Sequence, residues 1–293
     1  MMEGQLTSKP ERNDMRALHF SAFIAMLLMS GSIPAQETPP PAGRGRGGAG
    51  AQDPEAAARY AAADVRILTV GIIYNAGLVD LAAAFTKETG KKVAVNTVIM
   101  GSAVNAIKTA NPPADVIMLP FELMSSLSLD GNVVPGTYLP LGRSEMGLAV
   151  PAGAPHPDIS TVEKLAAALR SAKMVMRSDP SHGSMVAKVI EDKVIQRPEF
   201  AGVNSMVNTQ GEGGQALARG QGDMALQAIC EILPHKEIEV VGPLPRELGA
   251  WIDMSTAVSA RAMHRDDAIA FVKFILRPDA KPVWQAKGLE RFQ

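Results

Sequence analysis

The densest group of reactive side-chain types is Ser178-Asp179-Pro180-Ser181-His182-Gly183-Ser184. Ser181 and Ser184 flank His182, and an imidazole beside a hydroxyl can activate it as a nucleophile. That chemistry also needs an elbow that lifts the serine out of a strand, and no G-x-S-x-G occurs in the chain. A P-loop and an H-E-x-x-H zinc helix are missing too. His156 lies in the turn Ala154-Pro155-His156-Pro157, and His235 and His264 stand alone. None has a partner at metal-ligand spacing, so neither a metal nor a cofactor is expected. Cys230, in Ala228-Ile229-Cys230, reads as a small buried hydrophobe.

A second kind of chemistry is the holding of a solute. Four short segments rich in Gly, Ser, Thr and Asn each open a helix. They are Gly71–Gly77, with Ile73, Tyr74 and Asn75; Met100-Gly101-Ser102; Ser181-His182-Gly183-Ser184; and Asn208–Gly213, with Gly211 and Gly213. Gln227 ends a strand nearby in the pattern. Unpaired N–H groups at helix starts suit a small anion or polar solute. The same residue types also make ordinary caps and turns, and sequence leaves both readings open.

The elements that must carry these segments follow from periodicity. Val65–Val70 is an apolar run bounded by Gly71. Leu78, Leu81, Ala82 and Phe85 then recur at helical spacing up to Gly90. Val93–Val98 is a strand. Ser102 precedes a helix through Val104 and Ile107, and Val116–Leu119 is a third strand. Such β-α-β-α-β order implies a parallel sheet. A second unit starts at Gly147–Val150. Ser160 and Glu163 predict a capping box, followed by helical Val162, Leu165 and Leu169. Strands at Met174–Met176, Ser205–Asn208, Met224–Gln227, Ile238–Val241 and Met254–Ser259 follow. Helices lie around Met185–Ile190 and Gln215–Arg219, and the chain closes on helices at Ala268–Ile275 and Val283–Lys287. In open α/β sheets a ligand sits beyond the carboxyl ends of the strands, where the four segments fall.

Composition bounds the function. The chain has 293 residues, 46% hydrophobic and 20% charged, with a net charge of −1, so it can bury a core and has no basic excess for nucleic acid. Aromatics are 4%, too few for a stacking surface, and the single cysteine excludes an intrachain disulfide. Met15-Arg16, the apolar run Ala22–Met29 and Ser30–Ala35 predict a signal peptide over 1–35, with Met15 the natural start. The run is too short to span a bilayer. Residues 36–63, rich in Pro, Gly and Ala, predict a disordered linker. Its Gly43–Gly48 spells G-x-G-x-x-G without the strand and helix that give that motif meaning.

Several blocks resemble a known family. Leu81–Val93, Pro113-Ala114-Asp115-Val116, Gly147–Val150 with Gly153–Thr161, Ser178-Asp179-Pro180, Glu231–Pro234, Val241–Pro245 and Lys287–Glu290 resemble, in order and spacing, periplasmic molybdate-type solute-binding proteins. The resemblance spans Val65 to Arg291. It implies a type II periplasmic-binding fold, with two α/β lobes that each hold a mostly parallel sheet flanked by helices. Lobe I would be 64–143 plus 262–293, and lobe II 144–261. It further implies a non-enzymatic role in the periplasm. The protein would deliver a small solute, an oxyanion such as molybdate or a small organic anion, to the permease of an ABC importer. The family's serine after the first strand aligns with Ile73, its second serine near Ser102, and its second-lobe tyrosine with Ala228 beside Gln227. Asp179 would repel an anion unless it caps the following turn. The alternatives are a periplasmic hydrolase using Ser181 or Ser184 with His182, and an orphan sensor for an organic solute.

Overall fold

The computed structural model describes residues 53–292. The expected signal peptide and residues 36–52 of the expected linker lie outside them. The elements run α1 (Pro54–Ala61), β1 (Val65–Thr69), α2 (Gly71–Ile73), α3 (Val79–Thr89), β2 (Val93–Thr97), α4 (Ala103–Thr109), β3 (Val116–Pro120), α5 (Phe121–Leu129) and β4 (Leu139–Pro151). They continue with α6 (Val162–Ser171), β5 (Val175–Ser178), α7 (Met185–Ile190), β6 (Ser205–Asn208), α8 (Gly213–Ala218), β7 (Met224–Ala228) and α9 (Ile229–Ile232). Last come β8 (Ile238–Pro243), β9 (Trp251–Val258), α10 (Arg265–Ile275), α11 (Lys281–Ala286) and β10 (Leu289–Arg291).

The strands form one curled sheet in the order β2-β1-β3-β9-β4-β7-β5-β6, with β8 and β10 also paired to β4. β1 is parallel to β2 and β3, and β5 is parallel to β6 and β7. Every residue of β1 and β3 is buried, as strands covered on both faces are, and the one charge among them, Arg66 of β1, is paired with Asp115. The antiparallel β4 joins the two parallel groups. Its first part pairs with β9 and β10, and its second with β7 and β8. One 13-residue strand thus runs from one half into the other, where the sequence shows only Gly147–Val150 as a strand.

Four expectations need correction. Residues 54–61 are helix, not linker: Asp53 caps Glu55 N–H, Pro54 occupies the first turn, and Tyr60 is buried. α6 is capped by Thr161, whose hydroxyl accepts from Lys164 N–H, while Ser160 Oγ accepts from Lys164 Nζ. α5 lies on Phe121–Leu129, a segment with no sequence assignment, and buries Met124 and Leu127. β9, placed by sequence in the second unit, pairs antiparallel with β3 in the first (Val116 opposite Val258).

The C-terminal helices pack on the first half. Phe85 of α3 meets Phe271 and Phe274 of α10 edge to face at 5.2 and 5.3 Å. Trp284 is fully buried and its Nε1–H donates to Ile275 O. Below the first sheet, Asp115 accepts from the Arg66 backbone N–H and guanidinium and from the N–H groups of Met263 and His264. This buried carboxylate ties β1 and β3 to the entry of α10. Burial would raise its pKa, but these hydrogen bonds hold it below the usual carboxylate range.

Candidate functional site

The carboxyl ends of the parallel strands in both halves open on one seam. There Gly101, at the turn before α4, meets Gly183, at the turn before α7. A Cβ placed on Gly183 would lie 3.5 Å from the Gly101 Cα, and one on Gly101 would lie 3.6 Å from the Gly183 Cα. Either Cβ would make only ordinary van der Waals contact, and glycine is required at Gly183 by its left-handed φ of +77°. Beside this contact is a cavity of about 190 Å³, lined by Met100, Gly101 and Leu123 from one half and Pro180, Gly183, Ser184, Met185 and Lys188 from the other.

Deeper along the seam lies a polar chain. Gly213, at the start of α8, is pressed on β5: a Cβ there would fall 2.6 Å from the Arg177 Cα. The absence of a side chain lets Gly213 N–H donate to Ser178 Oγ at 3.1 Å. Ser178 Oγ donates in turn to Gln227 Oε1 at 2.9 Å, and Gln227 Nε2 donates to Glu231 Oε2. Ser178, Gln227 and Glu231 are all buried. Glu231 Oε1 lies 3.7 Å from the position of a Cβ on Gly71, so this carboxyl of the second half faces the first residues after β1.

The electrostatics are unusual for an anion seat. Burial pushes Glu231 up to about 7, against the pull of the Gln227 hydrogen bond. Glu212, just before α8, is also raised well above its ordinary range, by burial first and then by the Glu231 charge. Asn208 Nδ2 donates to Glu212 O, and Asn208 Oδ1 accepts from Gln210 N–H, which fixes the loop that carries Glu212. Cys230 is fully buried against Ser144 Oγ at 3.5 Å, and burial raises its thiol pKa.

The sequence-selected residues sort into groups. Gly101, Gly183 and Ser184 border the cavity, and Ser184 also caps α7 through Ala187 N–H. Gly213 and Gln227 join the polar chain. The Ile73 side chain is fully buried in the apolar core. Tyr74 and Asn75 are half-buried at the start of the helix after β1. Gly211 turns the loop ahead of Glu212. Ser102 is exposed, and its hydroxyl donates to Ile99 O at 3.0 Å. Asp179 accepts from Ser181 N–H and Oγ, so it caps its own turn. Hydrogen bonds from Ser181 keep its pKa low.

The same distances weigh against a hydrolase. Ser181 Oγ lies 3.3 Å from His182 Nδ1, but Asp179 Oδ2 lies 3.0 Å from that same nitrogen. A relay needs the serine and the carboxylate on opposite ring nitrogens. The His182 side chain is also 70% exposed. Glu231 and Glu212 were missed in the sequence. Glu231 falls in an apolar run, Cys230-Glu231-Ile232-Leu233, and a lone charge in such a run was the available signal.

Comparison with known proteins places this geometry. The profile of the bacterial extracellular solute-binding protein family matches residues 69–290. The chain belongs to that family. It has the type II periplasmic-binding fold. One solved relative in fold is the substrate-binding domain of a molybdenum ABC transporter from Clostridium difficile. It has a TM-score of 0.64 and 15% identity, over 78% of this chain and 99% of that one. Another is the periplasmic molybdate-binding protein of Azotobacter vinelandii, with a TM-score of 0.60 and 18% identity, over 78% and 100%. A sequence relative is an aconitate isomerase from a Pseudomonas species, 25% identical over 232 residues, or 76% of this chain and 88% of that protein.

Proposed function

We propose that the protein is a periplasmic solute-binding protein whose cleft takes a small organic polycarboxylate and presents it to the permease of an ABC importer. The carrying observation is the closed seam. Two halves linked by one strand meet at Gly101 and Gly183 beside a small cavity built from both, the shape expected when a solute is clasped between lobes. The cavity lining is mostly apolar with one cation, Lys188, which suits an organic anion. The buried glutamates Glu212 and Glu231, whose pKa values are raised, can share a proton with a solute carboxylate that reaches them. The kinship with an aconitate isomerase points to the same solute class. The signal peptide expected over 1–35 and the family's extracellular character support a periplasmic placement. In this role Gly101, Gly183, Ser184 and Gln227 shape the seat of the solute, whereas the N–H groups of Ile73 and Tyr74 are spent on Val70 O and leave no donor there.

A thermal-shift panel tests this. It holds trans-aconitate, cis-aconitate, citrate, succinate, molybdate, tungstate, sulfate and phosphate. A solute at 100 times its Kd adds about 2.7 kcal/mol, a shift of several degrees. A shift with the polycarboxylates alone is the expected result. A shift with molybdate and tungstate alone would replace the polycarboxylate with an oxyanion.

A further inference from the structure

Glu231 is a buried carboxyl without a cation. Asp115, also buried, has Arg66 at 2.8 Å, but among the described residues no Lys, Arg or His pairs with Glu231. Oε2 is held by Gln227, which Ser178 and Gly213 hold in turn. Oε1 accepts no hydrogen bond from any described residue and is aimed at Gly71 across the seam. One oxygen is thus fixed by three linked residues, and the other is left free at the place where the two halves close. A buried acid in apolar surroundings is costly, and a fold that only needed to pack would gain by an apolar residue here.

We propose that Glu231 is the proton-transfer residue of a cofactor-free isomerisation, which moves the carbon–carbon double bond of an unsaturated polycarboxylate held in the cleft. This rests on the polycarboxylate reading above. Glu231 Oε1 takes a proton from the methylene carbon between a carboxyl group and the double bond. The C–H electron pair becomes a new double bond. The old π pair moves to the far alkene carbon and spreads into its carboxylate as a dienolate. The same carboxyl, now protonated, returns the proton to that far carbon. The double bond has moved by one position, and nothing is oxidised or reduced. The raised pKa of Glu231 suits both halves of the cycle near neutral pH, since the group can be base and then acid.

The test uses the full chain with trans-aconitate in D2O, followed by proton NMR. The expected result is formation of the cis isomer, with deuterium entering the methylene group in the turnovers where protonated Glu231 exchanges with solvent before it returns the proton. General acid–base catalysis contributes about 100-fold or more, so Glu231→Gln should slow both signals by at least that factor. Trans-aconitate should still raise its melting temperature, by less than in wild type, because the Gln amide can donate a hydrogen bond but cannot share a proton. If Glu231→Gln does not fold, Glu231→Asp, which withdraws the carboxyl from the substrate, should bind and react about tenfold slower or worse. A wild-type chain that gains stability from trans-aconitate but neither exchanges nor isomerises it overturns the catalytic role and leaves the binding reading standing. So does a Glu231→Gln variant with the wild-type rate. A melting temperature unmoved by every polycarboxylate removes the binding reading, and the catalytic role with it.

Discussion

The buried carboxyl at Glu231 should make stability fall as pH rises toward neutrality, and Glu231→Gln should remove its share of that fall. In the unfolded chain a glutamate titrates near 4.5, and in the fold burial pushes Glu231 up to about 7. Because the folded value is raised, the neutral group weakens the fold least below pH 4.5, and stability is lost as pH climbs through about 7. At about 1.4 kcal/mol per pH unit, the loss approaches about 3 kcal/mol once the group is ionised. The groups around it act in the same sense or are neutral. Glu212 is itself raised, Cys230 stays a thiol, and Gln227 and Gly71 carry no charge. The assay is urea unfolding of wild type and Glu231→Gln at several pH values from 5 to 8. With a slope of about 3 kcal/mol per molar for a chain of this size, the two midpoints should be similar at pH 5. They should differ by about 1 M at pH 8, with the variant more stable. A difference constant across that range would mean that Glu231 is solvated, and would refute both its burial and its raised pKa.

Three further outcomes follow from the packing. Asp115→Asn should cost about 3–5 kcal/mol in urea unfolding, because it strands the buried Arg66 charge and replaces an acceptor with a donor. Since Asp115 is held below the usual range, its contribution to wild type is present near neutrality and lost as pH falls through that low value. Trp284→Ala should cost about 3–5 kcal/mol, seen as a lower Tm, because a fully buried ring and its bond to Ile275 are lost together. Ser102→Ala should change solute affinity by no more than about twofold in a titration, because its exposed hydroxyl is already spent on Ile99 O.

Much of the fold can be read from the chain because its signals are local. Val65–Val70 and Val116–Leu119 have no choice but the centre of a covered sheet, and Leu81, Ala82 and Phe85 describe a helical stripe that Gly90 ends in the left-handed region. The two-unit α/β plan and the segments at the strand ends follow from such patterns. The pairing partners do not. β9 reads as one more strand of the second unit, yet it lies beside β3, because antiparallel pairing is set by contacts far apart in sequence. α1 sits in a stretch whose composition predicts disorder, and only the burial of Tyr60 against the domain stabilises it.

The site divides in the same way. Small residues at helix starts mark where backbones can approach, and Gly101 and Gly183 do meet. Ser102, Ser181 and His182 have equally promising types, but their polar atoms are consumed by their own turns, a matter of geometry that spacing does not encode. Glu231 is the reverse case. Its neighbours in sequence are apolar, and its partners come from Gly213, Ser178 and Gln227, on three different elements. Sequence by itself determined the family, the alternating architecture and the small-residue turns at the strand ends, because periodicity and turn chemistry act over a few residues. Only the tertiary structure decided which carboxyl is buried and left without a cation, because desolvation depends on everything that packs around a group.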